Sequence, residues 1–387
     1  MSGQRACIVG IGESDYARWG GITDRSEFRL ACDAILAAAR DAGLDPDEID
    51  GFASFSDDAN EPSLLMNAFG TRQLRFASMV WGGGGGGSCG ALAHAAAAVE
   101  SGQANYVVAF RALCQGQSFR YGQFHPWTPH ATFTAPFGMF APAQMFAPLV
   151  RRHMHLYGTT AEQLGAVALA ARANANRNPR AVMREKPLTM DRYLDSRMIA
   201  DPLRLYDCCL ESDGAAAAIV TTVARARDLA AAPIEILAAQ QGSGQGWGTG
   251  LLGGHNMPHE TYASANARGL AADLFSRAGV TADDIDVAQL YDAFTAMVVF
   301  ALEDFGFCDI GEGGPFVADG QIGAGGTLPC NTSGGNLSEA YIHGFNLVIE
   351  AVRQLRGEST AQVAEARLAL VCGGESVTPT SALILAA

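Results

Sequence analysis

The chain has 387 residues, enough for two ordinary domains or one large duplicated one. Hydrophobic residues make up 49% and charged residues 17%, which describes a globular chain with a large core and excludes a disordered one. The formal net charge of -14 argues against sequence-independent nucleic-acid binding and against docking on an anionic membrane surface.

The opening run Ala6-Cys7-Ile8-Val9 predicts a buried strand, with no signal-peptide pattern before it. Phe28–Ala39 predicts a helix, Phe52–Phe55 a strand, Ala91–Glu100 a helix and Tyr106–Phe110 a strand. Cys89–Val99 is the most apolar helical stretch and is too short to span a bilayer. Residues 113–200 read as an insertion, with an aromatic and Met-rich stretch at Phe119–Phe146 and a helix over Thr160–Asn176. A strand at Ala215–Thr221 follows. The second half predicts a helix over Ala265–Arg277, a strand at Val287–Leu290, a helix over Leu347–Leu355 and strands at Leu368–Val371 and Ser381–Leu385.

This order repeats once. Ala42-Gly43-Leu44-Asp45-Pro46-Asp47-Glu48-Ile49-Asp50 matches Ala278-Gly279-Val280-Thr281-Ala282-Asp283-Asp284-Ile285-Asp286 at five of nine positions. Each copy follows a helix and precedes a strand. Helices alternating with short buried strands predict an α/β protein of two similar halves, 1–231 and 232–387. Loops from both halves would meet at one site near the strand ends.

Nine cysteines lie scattered without metal-ligand spacing, which reads as a cytoplasmic protein with reduced thiols. The eight histidines show no zinc-ligand pattern, so no metal is expected. His153 and His155, beside Arg151 and Arg152, read as solvated helix residues. Lys186 is the only lysine and sits in a charged segment, which makes a Schiff-base mechanism a poor candidate.

Three loops carry the chemistry. Six glycines, Gly82–Gly87, precede Ser88-Cys89-Gly90 and a helix. Such a run presents backbone N–H groups to an oxyanion, or lets two backbones pack closely. No Gly-Lys-Ser/Thr follows, so it is not a Walker loop. The second loop is Gln289-Leu290-Tyr291-Asp292-Ala293-Phe294, and the third runs from Asn331 to Gly344.

At these loops the sequence resembles the thiolase superfamily, in its sterol carrier protein X and lipid-transfer-protein branch. The resemblance covers nearly the whole chain. It is carried by Val9-Gly10-Ile11-Gly12, by Tyr157–Leu164, by Ala173–Pro179, by Asp207–Ala216 and by Asn331-Thr332-Ser333-Gly334-Gly335. It implies a thiolase fold, a duplicated five-layer αβαβα arrangement with an inserted loop domain. The departures are as informative. Counting back from Gly102 places the thiolase nucleophile position at Gly85, and Cys89 falls one helical turn further in. Tyr341 stands at the histidine position of the Gly-His-Pro motif, and Tyr291 opens what is Asn-Glu-Ala-Phe or His-Asp-Cys-Phe elsewhere.

This pattern is similar to the steroid side-chain aldolases of that branch. The similarity implies a lyase that splits a bulky β-hydroxyacyl-CoA of the 17-hydroxy-20-carboxyl-CoA type into a ring ketone and a short acyl-CoA. A retro-aldol cleavage needs an acid and a base but no covalent nucleophile. Tyr291 and Tyr341 are the candidate acid/base pair, their individual roles open. Gly84, Gly85, Gly86, Gly373 and Gly374 are candidates to hold the thioester oxygen, with His343, Asn331 and Asp292 supporting. Coenzyme A enters as part of the substrate, and no separate cofactor is expected. Arg151, Arg152 and Arg184 are candidates for its phosphates. The resemblance further implies a homodimer core and an OB-fold, zinc-ribbon-like partner completing a heterotetramer. Two alternatives stand beside this reading. One is a thiolase with a rearranged nucleophile among Cys89, Cys330 and Cys372, and the other is a non-catalytic carrier of lipid acyl-CoA.

Overall fold

The structure is a computed structural model that describes residues 4–81, 84–117, 131–244 and 262–387. Gly82, Gly83 and the 119–130 part of the aromatic stretch lie outside the described residues.

Nine strands form the main path of a single mixed sheet. They are β1 (Ala6–Glu13), β2 (Gly51–Phe55), β3 (Phe76–Val80), β4 (Val107–Cys114), β5 (Ser212–Thr222), β6 (Ile234–Gly242), β7 (Val287–Gln289), β8 (Leu368–Gly373) and β9 (Thr380–Ala386). Their spatial order is β7-β8-β9-β6-β1-β5-β4-β2-β3. The two halves of the chain meet where β1 and β6 pair antiparallel, Cys7 opposite Glu235 and Ile8 opposite Ile234. Outward from that join both sides repeat one pattern. An antiparallel neighbour comes first, β5 on β1 and β9 on β6. A second antiparallel strand follows, β4 on β5 and β8 on β9. A parallel strand comes third, β2 on β4 and β7 on β8. The repeat read from the Ala42–Asp50 and Ala278–Asp286 segments is thus a repeat of sheet topology. The first half adds β3, parallel to β2, at the outer edge.

Helix α1 (Glu27–Ala42) starts at Ser26, whose Oγ accepts the Arg29 N–H, and ends at Gly43 in the left-handed region. Its apolar stripe Leu30, Ala34, Ile35 and Ala38 lies on the outer face of β1, β4 and β5. The backbones approach closely there, for a Cβ on Gly12 would stand 2.2 Å from the Ala34 carbonyl oxygen. Helix α2 (Ser88–Glu100) buries Leu92, Ala95, Ala96, Ala98 and Val99 and leaves only a narrow exposed face at His94, Ala97 and Glu100. It and α8 (Phe345–Arg356) touch strands of both halves and form the middle layer. Helix α5 (Arg268–Ala278) covers β6 and β9 from outside, as α1 covers the first half. Because the two halves of the sheet join only at Cys7 and Ile8, each half forms its own layer, and the order is helix, sheet, helices, sheet, helix.

The insertion packs on the second half. Helix α3 (Pro142–Tyr157) precedes α4 (Ala161–Ala175), whose Thr160 and Gln163 cap each other's backbone N–H groups. Helix α4 lies against α6 (Thr295–Asp304) and α7 (Gly335–Ser338), and so supports the loop that carries Tyr341. His153 is not a solvated helix residue, as its neighbours Arg151 and Arg152 had suggested. It is 1% exposed, with Nδ1 2.7 Å from Thr159 Oγ1 and Nε2 3.1 Å from each Glu303 oxygen. Phe146, Leu149, Val150 and His153 share the buried face of α3, and that spacing decides the matter. His155 is exposed, as expected. No helix among the described residues is long and apolar enough to cross a membrane.

Candidate active site

The glycine run enters α2 between the tips of loops from the second half. The side of Gly85 is filled by an aromatic ring. A Cβ built there would stand 1.9 Å from Cε2 of Tyr291. The Gly85 N–H donates to Tyr291 Oη at 3.0 Å, and that oxygen lies 2.6 Å from Tyr341 Oη. The two tyrosines, fifty residues apart in sequence, therefore share a hydrogen bond. Tyr291 is 3% exposed and Tyr341 is half-buried. Burial pushes the Tyr291 phenol above its ordinary range, and the bonds from Tyr341 and Gly85 oppose that rise.

Gly84 lies directly against the pair. A Cβ there would lie 3.1 Å from Tyr291 Oη and 3.4 Å from Tyr341 Oη, and no other described atom comes within 4 Å. The other glycines serve close backbone approach. Gly374 has φ +70, and a Cβ on it would meet Gly86 Cα at 2.2 Å. A Cβ on Gly373 would meet Ser88 Oγ at 2.2 Å. Gly84, Gly85, Gly86, Gly373 and Gly374 are thus assembled around one point. The Gly85 N–H, a candidate for the thioester oxygen, is already engaged by Tyr291.

Asn331 and Asp292 hold loops. Asn331 Oδ1 accepts the Leu290 N–H at 2.8 Å and its Nδ2 donates to the Leu290 carbonyl at 2.9 Å. One side chain therefore fixes the backbone just before Tyr291. Asp292, fully buried, accepts the N–H groups of Asn336 and Leu337 and so anchors the start of the Tyr341 loop. Burial raises its carboxyl to about 7 against those two bonds.

His343 is fully buried, with φ +48, and meets the Tyr341 ring edge-on at 5.1 Å between centroids. Its Nδ1 accepts from Arg111 Nε at 3.3 Å. Burial and the adjacent guanidinium hold its pKa well below the ordinary value, so the ring is neutral and its proton is on Nε2.

Four neighbours went unread in the sequence. Arg111 is 1% exposed in the middle of β4; it donates from Nη1 to Asp58 Oδ2 and from Nη2 to the Ser56 carbonyl, both at 3.0 Å. Ser56 Oγ in turn donates to the Gly84 carbonyl at 2.5 Å. Glu375 Oε1 accepts the Tyr291 N–H at 3.3 Å, and burial raises this carboxyl well above its usual range. The available signals were a lone arginine inside the apolar run Val107–Cys114 and a glutamate directly after the paired glycines.

The candidate thiols are poor nucleophiles. Cys89 is fully buried, its sulfur toward the Val371 carbonyl, and burial raises it to about 12. Cys330 and Cys372 are buried and also pushed up. Lys186 is exposed; its backbone carbonyl accepts from Arg172, which also bonds Ser338 of the Tyr341 loop. Arg151 pairs with Asp201, and Arg184 with Glu185, on the surface.

A duplicated α/β frame with a central helix pair and three convergent loops defines the thiolase class, here with a tyrosine ring in the nucleophile's place. The C-terminal domain model of thiolases, "Thiolase C-terminal domain-like", matches residues 254–387. The chain is 43% identical to the 17-hydroxy-3-oxo-4-pregnene-20-carboxyl-CoA lyase of Mycobacterium tuberculosis over 100% of both chains. It is 42% identical to a steroid side-chain-cleaving aldolase of Thermomonospora curvata, over 99% of this chain and 98% of that one. Among solved structures, the Ltp2-ChsH2(DUF35) aldolase superposes with a TM-score of 0.91 at 40% identity, covering 100% of this chain and 98% of that one. The chain belongs to the steroid side-chain-cleaving aldolase branch of the thiolase superfamily.

Proposed function

We propose that the protein is a lyase that cleaves a bulky β-hydroxyacyl-CoA by a retro-aldol reaction, with a 17-hydroxy steroid 20-carboxyl-CoA as the substrate type. The relatives' activities support the substrate class. The observation that carries the mechanism is the hydroxyl pair at 2.6 Å, both oxygens facing Gly84.

The half-buried Tyr341 meets the substrate, and Tyr291 stands behind it. With Tyr341 as its phenolate, Tyr291 donates to it while accepting from Gly85 N–H. This chain of donors polarises toward Tyr341 oxygen and disperses negative charge arriving there. Tyr341, as its phenolate, takes the proton of the β-hydroxyl group. The bond between the carbinol carbon and the α-carbon breaks, the carbinol becomes a ketone, and the bonding electrons pass into the thioester enolate. A proton returned to the α-carbon gives propionyl-CoA. One proton moves from oxygen to carbon and nothing is added, so no cofactor is called for beyond the coenzyme A of the substrate.

A DUF35-type partner is part of the proposal, resting on the Ltp2-ChsH2(DUF35) complex. So is a homodimer, supported by the open edge of β3, where Met79 and the following Trp81 are 48% and 88% exposed. The division into halves 1–231 and 232–387 places the boundary between β5 and β6. A cytoplasmic location rests on nine free cysteines.

The test is an assay of the chain with its partner on a 17-hydroxy steroid 20-carboxyl-CoA in D2O. Ketosteroid plus propionyl-CoA carrying one deuterium at C2 is expected, and loss of cleavage in Tyr341→Phe. An acyl group on a cysteine without cleavage would establish the thiolase alternative instead.

A further inference from the structure

We propose that Arg111 is the positioning residue of the tyrosine pair, one buried guanidinium that clamps both loops holding the two hydroxyls and sets positive charge behind Tyr341. The inference rests on the acid/base reading of Tyr341. Each guanidinium nitrogen has a different target. Nε reaches His343, two residues past Tyr341 and in ring contact with it. Nη2 reaches the carbonyl of Ser56, whose hydroxyl holds the Gly84 carbonyl next to the N–H that binds Tyr291. Nη1 reaches Asp58, the counter-ion, whose other oxygen accepts from the backbone and side chain of Asn60. The guanidinium carbon lies 5.6 Å from the Phe55 ring centroid, so the cation is also held in plane.

A buried cation with its counter-ion on one side exerts a directed field on the other. Here the exposed end of that field is the neutral ring of His343, which touches Tyr341. Phenolate formation at the pair is favoured by the cation and opposed by nearby carboxyls. Among the described residues, the groups that face this region are Glu27 from α1, Asp58 from the loop after β2, Asp292 beside Tyr291, Glu375 from the loop after β8, and the Cys209 thiol. Arg111 is the cation that the hydrogen bonds place against this set.

The experiment compares pH profiles of kcat for the enzyme–partner complex, using the 17-hydroxy steroid 20-carboxyl-CoA. Asp58→Asn keeps the cation and weakens its counter-charge. Arg111→Gln combined with Asp58→Asn removes both charges without stranding either one. Removal of the cation is expected to move the rising limb of kcat up by about one pH unit, with about tenfold lower kcat at neutral pH. Asp58→Asn alone is expected to move the limb the opposite way, with KM unchanged in both. A fall in kcat that is equal at every pH, or limbs that stay in place, overturns the inference. Tyr341→Phe is run alongside. If it still cleaves, the acid/base reading fails; if it is dead while the limbs do not move, only the role of Arg111 fails.

Discussion

Glycine at 85 and tyrosine at 291 are a single structural choice, because a Cβ at 85 would overlap Cε2 of the ring at 1.9 Å. The ring occupies the space that a nucleophilic side chain at the head of α2 would need. Loss of the thiolase cysteine and gain of the tyrosine are therefore one event in three dimensions. Gly85→Cys alone should not produce a thiolase. We expect it to displace Tyr291, to cost about 1–3 kcal/mol of stability and to abolish cleavage. Tyr291→Ala opens a cavity and is costly by itself, but Gly85→Cys with Tyr291→Ala removes the overlap, so the double variant should lose less than the sum of the two single losses. Thermal unfolding of the two single variants and the double checks this, and additive losses would refute the coupling.

The tyrosines differ in what their hydroxyls support. Tyr291→Phe leaves the buried Gly85 N–H without its acceptor, which costs about 1–3 kcal/mol. Tyr341→Phe removes a half-buried hydroxyl and with it the bond to Tyr291 Oη, and should cost about 0.5–1.5 kcal/mol. Both should lower kcat, by about 100-fold or more for Tyr341. Denaturant unfolding beside steady-state kinetics separates the two effects. A Tyr341→Phe enzyme of normal kcat, or a Tyr291→Phe enzyme of unchanged stability, would contradict these assignments.

Much of this was legible in residue order. The apolar run from Ala6 is β1, the helix read over Thr160–Asn176 is α4, and the repeated Ala-Gly…Ile-Asp segments sit before topologically equivalent strands β2 and β7. Tyr291 and Tyr341 could be paired because the resemblance to the thiolase motifs puts each at a catalytic motif position, on loops where chemistry collects. Arg111 could not be placed. Its partner Asp58 and its target His343 come from opposite ends of the chain, and no periodicity joins them. Burial of a charge is decided by what packs on it, as His153 also shows.

The thiols should be silent. Cys89, raised to about 12, holds only about one thiolate in 10⁵ at pH 7, and Cys330 and Cys372 are also pushed up by burial. Iodoacetamide on the folded protein at neutral pH should leave all three unlabelled, by peptide mass mapping. Cys89→Ala should keep kcat within about twofold, since no acyl-enzyme is formed. Rapid labelling of any of the three, or a dead Cys89→Ala enzyme that still folds, would reopen covalent catalysis.

Asp292 makes stability depend on pH in an unusual direction. Its folded-state carboxyl is raised to about 7 by burial, whereas an unfolded aspartate titrates near 3.9. Between those values the folded chain keeps a proton that the unfolded chain has released. The folded state then binds more protons, so this group's contribution to stability is fully present below about pH 4 and is lost as pH rises to about 7. The full span corresponds to about 4 kcal/mol as an upper bound. Asp292→Asn removes the titration while keeping one carbonyl acceptor for the N–H groups of Asn336 and Leu337. Denaturant unfolding at intervals from pH 4.5 to 7.5 should show the native protein losing stability relative to Asp292→Asn as pH rises. Parallel curves would mean that the two backbone bonds outweigh burial and keep Asp292 ionised throughout. The Tyr341 loop would then be anchored by a charged carboxylate.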